Sequence, residues 1–122
     1  MNVVLAVGTA PLRLALDVIL SEEPGVTVVG MASETEGLLA LMRTAQPDLV
    51  LLEWNLSGSP TEAVLANALS VSRPLRILVL GRDAALRSVA LTAGACAFVL
   101  VGDPPEILLA TLREERTMQR RC

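Results

Sequence analysis

Short runs of consecutive apolar residues alternate along this chain with longer stretches in which apolar residues recur every three or four positions. Asn2–Val7 reads as a first strand, and Pro11–Ser21 as a helix with Leu12, Ala15, Leu16, Ile19 and Leu20 on one face. The turn residues Pro24 and Gly25 lead into a second strand, Val26–Met31. Ser33 and Glu36 have the spacing of a capping box and predict a helix running to about Thr44. Leu49–Leu52 is a third strand. Ser59, Pro60 and Glu62 mark the next helix start, with proline at the first helical position. Arg76–Leu80 reads as a fourth strand, followed by a helix over Ala84–Ala93 that Gly94 closes. Ala97–Val101 is a fifth strand. Asp103, Pro104 and Glu106 then open a last helix carrying Ile107, Leu108, Ala110, Thr111 and Leu112.

Five strands alternating with five helices predict right-handed crossovers and a parallel sheet covered on both faces. The strands are continuously apolar rather than alternating, as burial on both faces requires. The expected architecture is an α/β, flavodoxin-like (βα)5 fold with a doubly wound five-stranded parallel sheet. The domain is expected to span residues 1–115. Beyond Glu114 the apolar periodicity fades while Arg116, Arg120 and Arg121 accumulate. Residues 116–122 therefore read as a fraying helix end or the start of a linker to an output domain.

Composition removes chemistry rather than adding it. Apolar residues make up 52% of the 122, yet Trp54 and Phe98 are the sole aromatics, so the core must be aliphatic. No apolar run approaches the roughly 18 residues of a membrane span. The start of the chain lacks the features of a signal peptide, and the expected location is cytoplasmic. Cys96 and Cys122 have neither metal nor disulfide spacing, and Cys96 reads as a small buried hydrophobe. A net charge of −3 makes direct nucleic-acid binding unfavourable. All ten basic residues are arginine, with no lysine and no histidine. Schiff-base formation, imidazole acid–base catalysis, a Ser–His–Asp triad and histidine-bearing metal sites are thereby excluded within this chain.

What chemistry remains gathers in Pro47–Gly58, PDLVLLEWNLSG. Its apolar strand ends on Glu53, and the carboxyl ends of strands are where ligands bind in open α/β sheets. Asp48, at the amino end of the same strand, lies on the wrong edge for that role. Val3–Leu14 (VVLAVGTAPLRL), Arg76–Gly81 (RILVLG), Ala93–Leu100 (AGACAFVL) and Pro105–Leu109 (PEILL) complete an ordered set of segments with Pro47–Gly58. From Asn2 to about Glu115 the set resembles the receiver (CheY-like) domain of bacterial response regulators.

The resemblance implies strand order 2-1-3-4-5 and a place in two-component signal transduction. It also assigns five functional positions, and this chain departs from the family pattern at each. The two acidic residues that help hold Mg²⁺ correspond to Gly8 and Thr9. The phosphoacceptor aspartate corresponds to Glu53, the phosphoryl-contacting Ser or Thr to Gly81, and the lysine to Val101. Mg²⁺ requires oxygen ligands in near-octahedral geometry, and phosphoryl transfer relies on positioning and charge neutralisation. The expectation is thus an atypical pseudo-receiver with no metal, no cofactor and no enzymatic activity.

Glu53 then has two readings. It is either a built-in mimic of the phosphorylated state, with Arg82 as its partner in place of the lysine, or a drifted residue solvated at the sheet edge. Trp54 is expected to pack beneath a helix. Phe98 falls where receivers carry a Tyr or Phe whose rotamer reports activation, and Gly81 leaves its ring room. The Gly8–Thr9 turn gives only a weak anion-binding signal. The leading functional reading is phosphorylation-independent protein–protein interaction, with a partner or as a homodimer, controlling a transcription-regulating output domain. Receivers commonly pair through the fourth helix, fifth strand and fifth helix, or through the first and fifth helices. The corresponding interaction face here takes in Arg87, Leu91, Phe98, Leu108 and Arg113. The alternative is a small-molecule sensor binding among Gly8, Thr9, Glu53, Gly81, Arg82 and Val101. A phosphorelay acceptor using glutamyl chemistry ranks below both.

Overall fold

The computed structural model describes residues 1–54, 56, 60–69 and 75–121. The loop end of the Pro47–Gly58 segment, the helix-start residue Ser59, and Cys122 lie outside them. Five strands, β1 (Asn2–Ala6), β2 (Thr27–Ala32), β3 (Leu49–Glu53), β4 (Arg76–Gly81) and β5 (Ala97–Leu100), form one sheet in the order 2-1-3-4-5. Every pairing is parallel. Five helices alternate with them: α1 (Ala10–Ser21), α2 (Thr35–Thr44), α3 (Thr61–Leu69), α4 (Leu86–Thr92) and α5 (Pro105–Arg121). No helix among the described residues is long and apolar enough to cross a membrane.

Successive strand residues point to opposite faces, and the apolar runs build two cores. Val4, Ala6, Val50, Leu52, Ile77, Val79 and Phe98 meet Leu38 and Met42 of α2, Val64 and Leu65 of α3, and Ala90 of α4. On the other face Val3, Leu5, Leu49, Leu51, Leu78, Leu80 and Val99 meet Leu16 and Leu20 of α1 and Leu108 and Leu112 of α5. Each fully buried Val, Leu or Ile stabilises the fold by about 1.5–3 kcal/mol relative to exposure.

Several boundaries move from their expected places. β2 continues to Ala32, which pairs with Ala6, and the Val7 N–H donates to the Ala32 carbonyl at 3.0 Å. That extra pairing delays α2: its N-cap is Glu34, and no side chain caps it, so the Ser33–Glu36 capping box does not form. α4 starts later than expected because the Ala85 N–H donates to the Asp83 carboxylate at 2.9 Å, and Asp83–Arg87 forms i→i+3 turns instead. Gly94 ends that helix with φ +114°, a conformation that favours glycine.

α5 runs on through Glu114–Arg121, past the end of its apolar periodicity. Polar ties replace apolar packing there. Arg113 donates from Nε and Nη2 to the two Glu23 oxygens at 2.8 and 2.9 Å. Arg116 donates to the Pro24 carbonyl at 2.8 Å, and Arg76 pairs with the buried Glu115. Cys96 sits beside this last pair, half-buried just before β5 rather than within it. Burial, followed by the Glu115 charge, pushes its thiol up to about 12. This makes Cys96 unreactive at neutral pH.

Candidate functional site

Register places the carboxyl ends of β1, β3, β4 and β5 side by side: Ala6 pairs with Leu52, Glu53 with Leu80, and Gly81 with Leu100. Strand order reverses between β1 and β3, where a crevice opens in doubly wound sheets. An open cavity of about 400 Å³ lies there, lined by Gly8, Thr9, Glu53, Gly81, Arg82 and Val101. All six positions named for the emptied pocket are therefore brought together. Trp54, Leu80, Asp83 and Leu86 complete the lining.

Glu53 is 9% exposed, so it is not solvated at the sheet edge. Its carboxylate turns towards the β1–α1 loop. Oε1 accepts the Gly8 N–H at 2.9 Å and the Thr9 N–H at 3.3 Å, while Oε2 accepts the Thr9 hydroxyl at 3.0 Å. Hydrogen bonds to an ionised acceptor are worth about 1.5–3 kcal/mol each, so the residue ties β3 to the start of α1. The two positions that the resemblance assigns to carboxylates supply donors to one instead. Arg82 Nη2 lies 3.7 Å from Glu53 Oε2, with the arginine side chain 64% exposed. A contact that long and that exposed adds at most about 1 kcal/mol.

These groups do not fit the Mg²⁺ that the family implies. Gly8 offers no side chain and Thr9 points its hydroxyl proton at Glu53. Asp83 is engaged by the Ala85 N–H. Among the described residues, no group of three His, Cys, Asp or Glu side chains is placed to hold a metal ion. Asp48, on the opposite edge, accepts the Asn2 N–H at 2.7 Å and takes no part in the site.

Gly81, on the cavity wall, and Phe98, in the core against it, form a second unit. A Cβ built on Gly81 would lie 2.7 Å from both Cε2 and Cζ of the Phe98 ring, so the ring fills the space a side chain at 81 would need. Arg87 holds the arrangement from outside, its guanidinium 5.2 Å from the ring centroid and its Nη1 donating to the Phe98 carbonyl at 3.1 Å. Such a cation–π contact contributes about 0.5–1 kcal/mol at an exposed site.

The expected interaction face needs correction as a surface. Phe98 and Leu108 are each 4% exposed and belong to the two opposite cores, because alternation along β5 and the helical period of α5 turn them inwards. Arg87 and Leu91 are exposed on α4, whereas Arg113 is bound to Glu23 at the far end of α1. That pairing spans 90 residues of chain, and no local pattern announces it. Trp54 packs half-buried against the α2–α4 core and also walls the cavity.

No family model matches the chain. A curated relative, the nitrate/nitrite response regulator protein NarL of Escherichia coli K12, is 33% identical over 105 residues, covering 84% of this chain and 49% of NarL. Protein-glutamate methylesterase/protein-glutamine glutaminase 3 of Myxococcus xanthus is 35% identical over 94 residues, 73% of this chain and 26% of that protein. The chain thus spans about half or less of the curated relatives it matches. Among solved structures, the signal receiver domain of the response regulator NarL from Mycobacterium tuberculosis superposes with a TM-score of 0.84. It is 29% identical, with 94% of this chain and 95% of that one covered.

Proposed function

Since the chain carries a response-regulator receiver domain of the CheY-like type, a module of two-component signalling, we propose that it signals without taking a phosphoryl group. One observation carries this reading: the Glu53 carboxylate is held by Gly8 and Thr9, where metal-binding carboxylates would have to stand. An attacking carboxylate oxygen must be free, and the transferring group must be met by preorganised positive charge. Here both oxygens accept bonds from the loop, and among the described residues Arg82 is the one cation lining the cavity.

Glu53 reads better as a structural tie than as a copy of a phosphoryl group. It carries one charge against about −1.5 to −2 for phosphate, and Gly81 has no hydroxyl with which to sense it. The Phe98 ring, fixed against Gly81 and under Arg87, supports a receiver held in a single state. Its output is a contact with another protein. NarL, a response regulator about half of which this chain matches, leaves room for an output unit, and a transcription-regulating one is what we propose that contact controls. On this reading the domain itself is not an enzyme.

Acetyl phosphate with Mg²⁺ tests the proposal by intact-protein mass. The expected result is no adduct of about 80 Da on the wild-type chain, and equally none on Glu53→Asp, because the other groups needed for transfer are missing. A stoichiometric adduct lost in Glu53→Gln overturns it. A second reading is favoured by the size of the cavity, about 400 Å³ with the Arg82 guanidinium on its wall. This is within the range of small-molecule sites, and fits an anionic ligand. A thermal-shift screen of anionic metabolites should then give a stabiliser whose effect disappears in Arg82→Ala.

A further inference from the structure

The crevice at the strand ends adjoins a second space. Leu80 and Val101 line the cavity described above and also line a groove of about 180 Å³ between α1 and the start of α5. The Val101 N–H donates to the Gly81 carbonyl at 2.8 Å, beyond the pairing of Gly81 with Leu100. Arg82 therefore stands beside Val101, since neighbouring strands lie about 4.8 Å apart. The boundary between cavity and groove is thus a short, half-buried valine with an arginine next to it. The two spaces differ in chemistry. In the cavity, the contact of Arg82 with Glu53 is 3.7 Å long, too far for a hydrogen bond. The groove is lined by aliphatic side chains, among them Leu12, Ala15, Ile19 and Leu108. Among the described residues, Asp103 is its one polar side chain.

We infer that cavity and groove together bind a medium-chain carboxylate, its head on Arg82 and its unbranched tail running past Val101 between α1 and α5. This ligand class rests on the small-molecule reading of the cavity given above and adds what lies beyond the anionic head. Arg82 offers N–H donors in a planar fork that matches a carboxylate with two parallel hydrogen bonds. The other charges in the two linings are acidic. Glu53 is turned onto Gly8 and Thr9, Asp83 accepts the Ala85 N–H, and Asp103 borders the groove. They leave Arg82 as the place for the head and disfavour a second anionic group. A wall of aliphatic side chains penalises any polar group on the tail. At roughly 30 Å³ for a group the size of water, the groove takes about six carbons, or about eight with those that stay beside the head.

NMR titrations of the amide resonances of the whole chain with butanoate, hexanoate, octanoate and decanoate provide the test. They both locate the ligand and measure weak affinities. Octanoate should shift the amides of Arg82, Val101, Ala15 and Leu108 in one saturating event. Each two-carbon step up to octanoate should tighten binding roughly fifteenfold. The step to decanoate should add less than about twofold, because the groove is then full. Arg82→Ala should weaken octanoate by about tenfold or more. Ala15→Trp fills the groove from an exposed position, and should flatten the length series to within about threefold while butanoate binds as in wild type. Circular dichroism checks that both variants fold. Butanoate and octanoate binding the wild type equally would overturn the inference and leave the anion-binding cavity standing. Failure of every carboxylate to bind would overturn both. Octylammonium binding as tightly as octanoate, or an unaltered length series in Ala15→Trp, also overturns the inference.

Discussion

Gly81 and Phe98 show how one residue sets what another can do. The ring occupies the volume that any side chain at 81 would claim, with Leu86 Cδ1 also 3.2 Å from the hypothetical Cβ. Overpacking of this kind costs about 1–3 kcal/mol. Gly81→Ala should therefore lower stability by that amount in chemical denaturation. In a Phe98→Ala background, itself destabilised by about 3–5 kcal/mol, the same change should cost less than about 1 kcal/mol. Equal costs in the two backgrounds would show that the ring is not the obstacle. Glu53 is the companion case. From sequence it was an isolated acid at a strand end with two readings, one of them solvated. The fold instead buries it against two backbone N–H groups and a hydroxyl.

At the scale of elements, α5 is the clearest departure from what its residues suggest alone. Apolar periodicity weakens after Leu112, yet the helix continues because Arg113, Glu115 and Arg116 are fastened to the α1–β2 turn and to β4. Gly25 belongs to this fastening: its φ of +81° favours glycine, and a Cβ there would collide with Arg116 Nη1. The hydrogen bonds from Arg113 hold the Glu23 carboxyl below the usual carboxylate range, its burial opposing them. A carboxylate whose pKa is lower folded than unfolded binds more protons when unfolded, so it stabilises the fold above its unfolded pKa. That contribution is lost as pH falls through the lower, folded value. Wild type should accordingly exceed Glu23→Gln in stability at pH 7, with the gap closing as urea titrations move below pH 4 or so. A gap independent of pH would detach the effect from this ionisation.

For the whole molecule, the carboxyl ends of four strands converge on a cavity where, among the described residues, no group of three His, Cys, Asp or Glu side chains stands to hold a divalent cation. A receiver binding Mg²⁺ with a Kd near 1 mM would gain about 1.4 kcal/mol in 10 mM of the ion. In a domain of this size that is a melting shift of several degrees. This chain should shift by less than about 1 °C, and a larger rise would reveal a site that these residues do not supply. Hydrophobic patterning alone determined the alternation of five strands and five helices, the parallel sheet and its two buried faces, because periods of about 3.6 and 2 are written locally in the order of residues. The strand end also marked Glu53, and the resemblance to receiver domains marked Gly8, Thr9, Gly81 and Val101 around it, with Arg82 as the neighbouring cation. Only the tertiary structure decided what those residues do to one another. It bound Glu53 to Gly8 and Thr9, turned Phe98 and Leu108 into opposite cores, joined Arg113 to Glu23, and left Leu14 and Val18 facing outwards. Each of these depends on which surfaces meet across long separations in the chain, which a local period does not encode.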